Sequence, residues 1–244
     1  MIFRIFTFLC SFFILGLTTI SAQTTYDLGL YLGGVNYYGE VGKKAFVAPN
    51  RAFFGVIGKM NFTESLSARA SITYLTLADN DRDDNDGFRG NGRGRDLYYS
   101  FEHTNIEGVV ALEFVPFSLF KNKPNPIDFY IYGGVGAIYG DEAYYPLSTG
   151  FEDVESIVYG TRTRITVPMG AGFKTFVGRN FMLGIELAPR YSMSDNLDGS
   201  FPDDERVEAN RLANFENNDW YTFIGLTLTY RFGKGSDAYC DCTL

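Results

Sequence analysis

The sequence is poor in the residue types that usually carry catalysis and metal binding. Its 244 residues include one histidine, His103, three cysteines and one tryptophan. The GxSxG motif, which marks the nucleophile of many serine hydrolases, does not occur. Histidine and cysteine are too few to form the clusters that bind zinc. We therefore predict no catalytic residue, no metal site and no cofactor.

Positive charge and long apolar runs are also scarce. The 21 basic residues are outnumbered by 29 acidic residues, which gives a net charge of −8. Because nucleic-acid binding needs a basic surface, this balance argues against DNA or RNA as a partner. Beyond the first 22 residues, no stretch approaches the roughly 18 apolar residues that indicate a transmembrane helix. The sequence also indicates no small-molecule substrate.

The first 22 residues have the features of a targeting segment. Arg4 precedes the apolar run Ile5–Leu17, and the letters TTISA follow it. This order predicts a secretory signal peptide over residues 1–22, with cleavage before Gln23 or within a residue or two of it. Two alternatives stay open: an uncleaved anchor, although the run is short for a membrane span, and a lipoprotein built on Cys10, although no small residue precedes that cysteine.

Aromatic residues and alternating patterns are abundant. The chain holds 17 Tyr and 23 Phe, so that aromatic residues make up 17% of it. The stretch Trp220–Phe232 reads WYTFIGLTLTYRF, in which one parity is mostly apolar with aromatic ends and the other is mostly small or polar. A period of two places these sets on opposite faces of a strand. Composition and pattern together predict an all-β chain.

Eight such strands are predicted, and each is long. Membrane-crossing strands need about 9–11 residues, whereas strands of soluble proteins average about 5–6. Long connections alternate with short ones, as loops and periplasmic turns do in outer-membrane barrels. The predicted strands are Tyr26–Val35, Ala52–Phe62, Leu66–Leu77, Tyr98–Val115, Ile127–Tyr139, Arg162–Phe176, Phe181–Met193 and Trp220–Phe232.

These features predict an eight-stranded antiparallel up-and-down transmembrane β-barrel. A soluble β-sandwich would show the same alternation, with its polar face in water. Strand length, alternating loop lengths and aromatic strand ends favour outer-membrane lipid instead. We assign residues 23–233 to the barrel and residues 234–244 to a tail. With an even strand count, both termini are expected in the periplasm.

The polar parity of the strands carries the charges and is expected to face the barrel interior. An eight-stranded barrel has an interior that side chains can fill, and buried charges must be paired. We therefore predict a network of ion pairs across the lumen and no open pore. The predicted members are Asp27, Lys59, Arg69, Glu107, Glu113, Lys174, Glu186, Arg190 and Arg231.

His103 is the only base that a serine-histidine hydrolase could use here. It lies near the extracellular end of the fourth predicted strand. We interpret it as a rim residue at the level of the lipid headgroups. A lipid-modifying enzyme that depends on His103 stays an alternative.

The acidic stretch Ala78–Gly87 resembles a calcium-binding loop. The EF-hand pattern fails, because Arg82 and Arg93 occupy positions that need oxygen ligands. We interpret the stretch as a solvated, mobile outer loop. Weak binding of divalent cations or of lipopolysaccharide stays an alternative.

Cys240 and Cys242 form a C-x-C pattern after the last strand. Because the periplasm is oxidising, a free pair is not expected to persist there. A bond to another chain, exchange during assembly and the absence of a specific role all remain open.

Two terminal motifs resemble a known family. The motif YDLG at Tyr26–Gly29 is followed by GGVNYYGE at Gly33–Glu40, and the closing stretch Asn217–Gly233 is followed by cysteine. Together they resemble the PorG-like outer-membrane proteins of the Bacteroidetes type IX secretion system, and the likeness runs from Thr25 to Cys242. Family members commonly have a proline-rich segment where this chain has Lys234–Ala238.

The resemblance implies a structural role in protein secretion. PorG-like barrels associate with a periplasmic ring of PorK and PorN, which belongs to a machine that also supports gliding in some species. The expected contact surface comprises the periplasmic turns and the tail. An OmpA/OmpX-like barrel for adhesion or membrane integrity is the alternative. The residues expected to bind partners are Lys121, Lys123, Arg179, Lys234, Tyr239, Cys240 and Cys242.

Overall fold

The structure is a computed structural model that describes residues 24–84, 87–94, 96–116, 127–147, 153–202, 204–212 and 218–233. No helix in this described part is long and apolar enough to cross a membrane. Short 3₁₀ helices occur at Asp81–Asp83, Gly92–Gly94 and Glu208–Asn210. The strands are β1 (Thr25–Tyr38), β2 (Arg51–Asn61), β3 (Leu66–Asn80), β4 (Tyr98–Phe114), β5 (Asp128–Tyr144), β6 (Asp153–Glu155), β7 (Ile157–Val177), β8 (Phe181–Ser192) and β9 (Trp220–Phe232).

Eight of these strands form a closed, hydrogen-bonded ring. The antiparallel pairs are β1–β2, β2–β3, β3–β4, β4–β5, β5–β7, β7–β8 and β8–β9. Strand β9 then pairs with β1, from Tyr26 opposite Phe232 to Tyr38 opposite Trp220. Strand β6 lies outside this cycle and pairs with β4 in parallel. The predicted all-β class is confirmed, and every ring strand has both edges paired.

The two edges of the ring differ in their connections. Thr25 and Phe232, the first and last strand residues, lie at the same edge. The short connections at residues 62–65 and 178–180 lie there as well. The opposite edge carries the long connections at residues 39–50, 81–97 and 193–219. We call the edge with the termini the turn edge and the other the loop edge.

The sequence pattern missed strand structure near the loop edge. The predicted loop Gly140–Thr161 is largely strand, because β5 continues to Tyr144 and β7 begins at Ile157. Both extensions leave the level at which outward side chains are consistently apolar, so alternation no longer marks them. Strand β6 has three residues, which is too short for a period of two to be visible.

The ring is apolar on its outside. Every ring strand carries strongly exposed apolar side chains at outward positions, and examples are Leu30 at 54%, Val110 at 62% and Val135 at 65%. No charged residue occupies an outward position in β1, β8 or β9. Soluble monomers rarely expose a continuous apolar surface of this kind. The outside of the ring is therefore better suited to contact with apolar surroundings than to contact with water.

The inside of the ring is filled. An aromatic group of Tyr31, Phe53 and Phe223 crosses its middle, with ring centroids 4.4–6.1 Å apart. Toward the loop edge, residues of the long connections pack over the mouth, and Val41 and Leu197 are buried there. The core of the molecule thus runs along the ring axis.

Candidate functional site in the interior of the ring

Glu113 lies at the centre of a triple ion pair in the half of the ring near the turn edge. Lys59 Nζ approaches its carboxylate at 2.7 Å and Lys174 Nζ at 2.6 Å. Arg69 lies at 3.6 Å. All four side chains are buried. Because the four residues come from β2, β3, β4 and β7, the ion pairs link strands that are not all neighbours.

Glu186 is held by a second set of donors. The guanidinium of Arg69 donates to both carboxylate oxygens, at 3.0 and 3.1 Å. The hydroxyls of Tyr130 and Tyr132 donate at 2.7 and 3.1 Å. Arg69 also lies 3.9 Å from the ring centroid of Tyr132, in a cation–π arrangement. These four hydrogen bonds offset the free-energy cost of removing the Glu186 carboxylate from water.

Glu107 lies closer to the loop edge. It accepts a hydrogen bond of 2.7 Å from the Tyr221 hydroxyl and one of 3.4 Å from Thr166 Oγ1. Arg190 Nε lies 3.3 Å from its carboxylate. The Arg190 guanidinium also lies 4.9 Å from the Phe223 ring centroid. This layer joins the charged network to the aromatic group of the ring.

The last two predicted members of the network lie near the turn edge. Arg231 on β9 donates to both oxygens of Asp27 on β1, at 2.7 and 2.9 Å. The two residues are direct cross-strand partners. The structure therefore brings all nine predicted charges into ion pairs inside the ring, through the sets of Glu113, Glu186, Glu107 and Asp27.

Sequence reasoning missed the phenolic donors of this network. Tyr130 and Tyr132 share the inward parity of β5, opposite to exposed Ile131 and Val135. Tyrosine is typical of the lipid boundary, so composition alone does not assign these residues to the interior. The strand pattern of β5 was the available signal, since the parity of Ile131 already places its two tyrosine neighbours inside.

The structure corrects the prediction for His103. The side chain is 1% exposed and does not face lipid headgroups. Its Nε2 lies 2.9 Å from Ser156 Oγ and its Nδ1 lies 2.9 Å from the Leu197 carbonyl oxygen. A serine beside a histidine is the pairing of serine hydrolases, but there a third group, commonly a carboxylate, orients the histidine. Here the Leu197 backbone carbonyl takes that position. His103 therefore links β4 to the segment at Ser156 and to the connection at Leu197.

The acidic stretch is less exposed to solvent at Asp81 than predicted. Asp81 is fully buried and pairs with Arg93, whose Nε lies 2.6 Å from it. Asp81 also accepts from the Gly42 amide at 2.9 Å. Arg82 pairs with Asp153 at 2.6 Å. Arginine side chains, which break the calcium pattern in the sequence, thus supply the positive charge in this loop.

A cluster of carboxylates lies where the long connections cover the ring. Oxygen atoms of Glu40, Asp195 and Asp219 lie within 4.8 Å of one another, the one such group found in the described part of the chain. Burial raises the pKa of Asp219 well above its ordinary value, and the charge of Asp198 raises it further. Such a cluster could hold a proton or a hard cation such as Ca²⁺.

Asp219 has fixed hydrogen-bond partners within this cluster. The Tyr37 hydroxyl donates to its Oδ1, and the Leu197 amide donates to its Oδ2 at 2.8 Å. These contacts join the end of β1 to both ends of the connection between β8 and β9. The carboxylate therefore lies where the long connections at the loop edge, which we call the loop cover, are attached to the ring.

Most residues that were expected to bind partners lie outside the described residues. These are Lys121, Lys123, Lys234, Tyr239, Cys240 and Cys242. Arg179 is described and is exposed in the three-residue turn between β7 and β8. It lies at the turn edge, on the side where the chain begins and ends.

A family model for a domain of unknown function, DUF6089, matches residues 4–242. The chain belongs to the DUF6089 family. No curated protein matches the sequence. Family membership therefore supplies no activity, and the site must be interpreted from its own geometry.

Several solved structures resemble the chain. A major outer membrane protein from Thermus thermophilus has a TM-score of 0.47 and 13% identity, and the match covers 86% of this chain and 100% of that one. Neisserial surface protein A has a TM-score of 0.43 and 8% identity, with 86% and 98% covered. The N-terminal β-barrel domain of Pseudomonas aeruginosa OprF has a TM-score of 0.42 and 10% identity, again with 86% and 98% covered. Likeness at this level carries no information on what this member of DUF6089 does.

The interior of this DUF6089 protein is suited to holding strands together. Its carboxylates are each paired with buried bases, and tyrosine hydroxyls occupy further acceptor positions. The arrangement links strands β2, β3, β4, β7 and β8 through buried ion pairs.

Proposed function

We propose that this protein is an integral β-barrel of the bacterial outer membrane. The ring would span the bilayer, with its apolar outside in lipid and its charges inside. Two features support this: exposed apolar side chains on all ring strands, and strand pairing that leaves no open edge in the ring. The predicted signal peptide would deliver the chain to the periplasm.

The connections support one orientation in the membrane. In outer-membrane barrels, short turns face the periplasm and long loops face outward. The turn edge of this ring carries both chain ends, so the residues after Phe232 would enter the periplasm. The loop edge, with its buried carboxylate cluster, would lie outside the cell.

We further propose that the barrel is a structural or assembly component of the type IX secretion system. The resemblance of its terminal motifs to PorG-like proteins suggests PorK and PorN as partners. The observation that carries the proposal is the filled interior, because Glu107, Glu113 and Glu186 are buried in ion pairs along the axis. A barrel closed in this way is suited to anchoring a periplasmic ring and unsuited to conducting a polypeptide.

A pull-down from the native host tests this role. The tagged full-length protein is extracted in mild detergent, and PorK and PorN homologues are expected to co-purify. Arg179→Glu at the turn edge should weaken capture. Glu102→Lys, a charge reversal at the loop edge, serves as the matched control and should not. If neither homologue co-purifies and cargo secretion survives deletion of the gene, the secretion role is wrong.

The ordered loop edge favours one second candidate, an OmpA/OmpX-like barrel that acts at the cell surface. Val41, Tyr145 and Leu197 are buried among the described parts of the long connections, so these parts pack against one another. That candidate predicts that charge reversal at the loop edge changes adhesion or membrane integrity. It also predicts that changes at the turn edge have no effect on either property.

A further inference from the structure

The connection between β1 and β2 folds back along the outside of the ring. A Cβ atom at Gly34, an outward position of β1, would lie 2.6 Å from Pro49 Cβ. The side-chain amide of Asn36, the next outward position, donates to the carbonyls of Ala45 at 2.9 Å and Phe46 at 3.2 Å. We call residues 45–49 the outer segment. It lies against β1 and does not extend away from the ring.

The outer segment covers a polar interruption of the apolar surface. Up to Leu32 the outward residues of β1 are apolar, but Gly34 and Asn36 follow. Asn36 and its cross-strand partner Thr222 are only 2% and 0% exposed, although both occupy outward positions. In water, a surface asparagine needs no cover. In lipid, an exposed amide without partners is costly.

The segment presents apolar side chains in place of the polar ones. Phe46 is 40% exposed and Val47 is 49% exposed. The Phe46 ring centroid lies 5.9 Å from that of Tyr38 and 6.1 Å from that of Trp220. Aromatic girdles of this kind mark the lipid boundary of outer-membrane barrels. Lys44, directly before the segment, is exposed and carries a charge that anionic headgroups would attract.

We propose that the outer segment is a lipid-binding surface that extends the membrane-embedded face of the barrel at its loop edge. Its partner is lipid of the outer leaflet, with acyl chains against Phe46 and Val47 and headgroups near Lys44. This inference rests on the proposed position of the ring in the outer membrane. It adds that a connection, and not only the strands, enters the lipid.

Tryptophan quenching tests the inference in the full-length protein. Trp220 is the only tryptophan of the chain, so Trp220→Phe gives a background without this fluorophore. Val47→Trp is introduced there, and the protein is reconstituted in phosphatidylcholine vesicles with plain or brominated acyl chains. Leu30→Trp on the outside of β1 is the lipid control. Leu147→Trp, at a position 76% exposed beyond β5, is the water control.

The expected result is that brominated lipid quenches Val47→Trp as strongly as Leu30→Trp and leaves Leu147→Trp nearly unchanged. Quenching of Leu30→Trp without quenching of Val47→Trp would overturn the inference and leave the membrane position of the ring intact. Loss of quenching at Leu30→Trp would instead overturn the membrane position itself. Heat-dependent migration on gels confirms that each variant has folded.

A second substitution tests how the segment is held. Gly34→Val places a side chain against Pro49 without touching the ring interior. Added to the Val47→Trp variant, it should displace the segment and reduce quenching of the introduced tryptophan toward that of the water control. Unchanged quenching would show that contact with Gly34 does not seat the segment, against the inference.

Discussion

At the scale of single residues, the buried ion pairs make the interior intolerant of losing one partner. Arg69 is shared between Glu113 and Glu186, so its removal leaves Glu186 without its buried base and Glu113 with one base fewer. We expect Arg69→Met to lower the free energy of unfolding by about 3–5 kcal/mol. Urea titration of the protein in lipid vesicles measures this change.

The matched control is Arg51→Met, which removes the same charge from an exposed pair. Arg51 and Glu102 are 41% and 59% exposed in their side chains, and such pairs contribute about 0–1 kcal/mol. The double variant Arg69→Met/Glu186→Met should recover part of the loss, because the carboxylate that Arg69 pairs with most closely is then absent as well. Equal losses for Arg69→Met and Arg51→Met would contradict the interior network.

Asp219 predicts a pH dependence of the loop cover. Burial and Asp198 raise the pKa of Asp219 in the folded state, so folding favours its protonated form. The stabilisation that the raised pKa of Asp219 gives to the folded state is fully present below the unfolded-state pKa. It is lost as pH rises through the folded-state pKa. Hydrogen exchange at the Leu197 amide, which donates to Asp219, should therefore speed up as pH rises, beyond the intrinsic increase.

Asp219→Asn separates this effect from general loop opening. Asparagine keeps an oxygen for the Leu197 amide and has no proton to lose. The excess pH dependence of exchange should disappear in this variant. If it persists unchanged, another member of the cluster, such as Glu40 or Asp195, controls the cover.

At the scale of elements, alternation identified the central parts of the strands because one face carries exposed apolar side chains along most of their length. It placed Leu30 outside and Asp27 inside correctly on β1. It failed at β6 and at the ends of β5 and β7, where hydrogen bonds continue above the apolar surface. Pairing of Tyr144 with Ile157 depends on backbone geometry that no side-chain period reports.

The interior was predictable in its charges and less so in its neutral donors. Lys59 and Glu113 stand out because each is a charge on the parity opposite to the apolar side chains of its strand, and both are buried inside the ring. Tyr130 fits either face by composition, so only the register of β5 decides its direction. The outer segment was not predictable, because it depends on Asn36 reaching carbonyls 9 and 10 residues ahead.

The outward faces of the strands yield a direct test of the lipid environment. Leu30 lies midway along the outside of β1 and is 54% exposed. We expect Leu30→Arg to destabilise the protein by about 2–4 kcal/mol in bilayers, as arginine does near the membrane midplane of other barrels. Urea titration in vesicles measures the change. Leu147→Arg in an exposed connection is the control and should be neutral.

At the scale of the whole molecule, the protein is a closed ring with a distinct outside, axis and loop edge. Its outside is apolar, its axis is filled by ion pairs and aromatic rings, and its loop edge is covered by packed connections. A ring of this build is suited to the membrane-spanning role that we propose. Our central claim is that the protein spans the bilayer without forming a pore.

Planar-bilayer recording tests that claim most directly. The purified protein is inserted from vesicles in which protease cleaves only one edge of the ring, which establishes that it spans the lipid. We predict no steady conductance above that of protein-free bilayers. We also predict that Lys59→Ala/Glu113→Ala/Lys174→Ala, which removes three of the four side chains of the Glu113 ion-pair cluster, raises conductance. Steady, reproducible conductance steps from the unmodified protein would contradict a spanning ring without a pore.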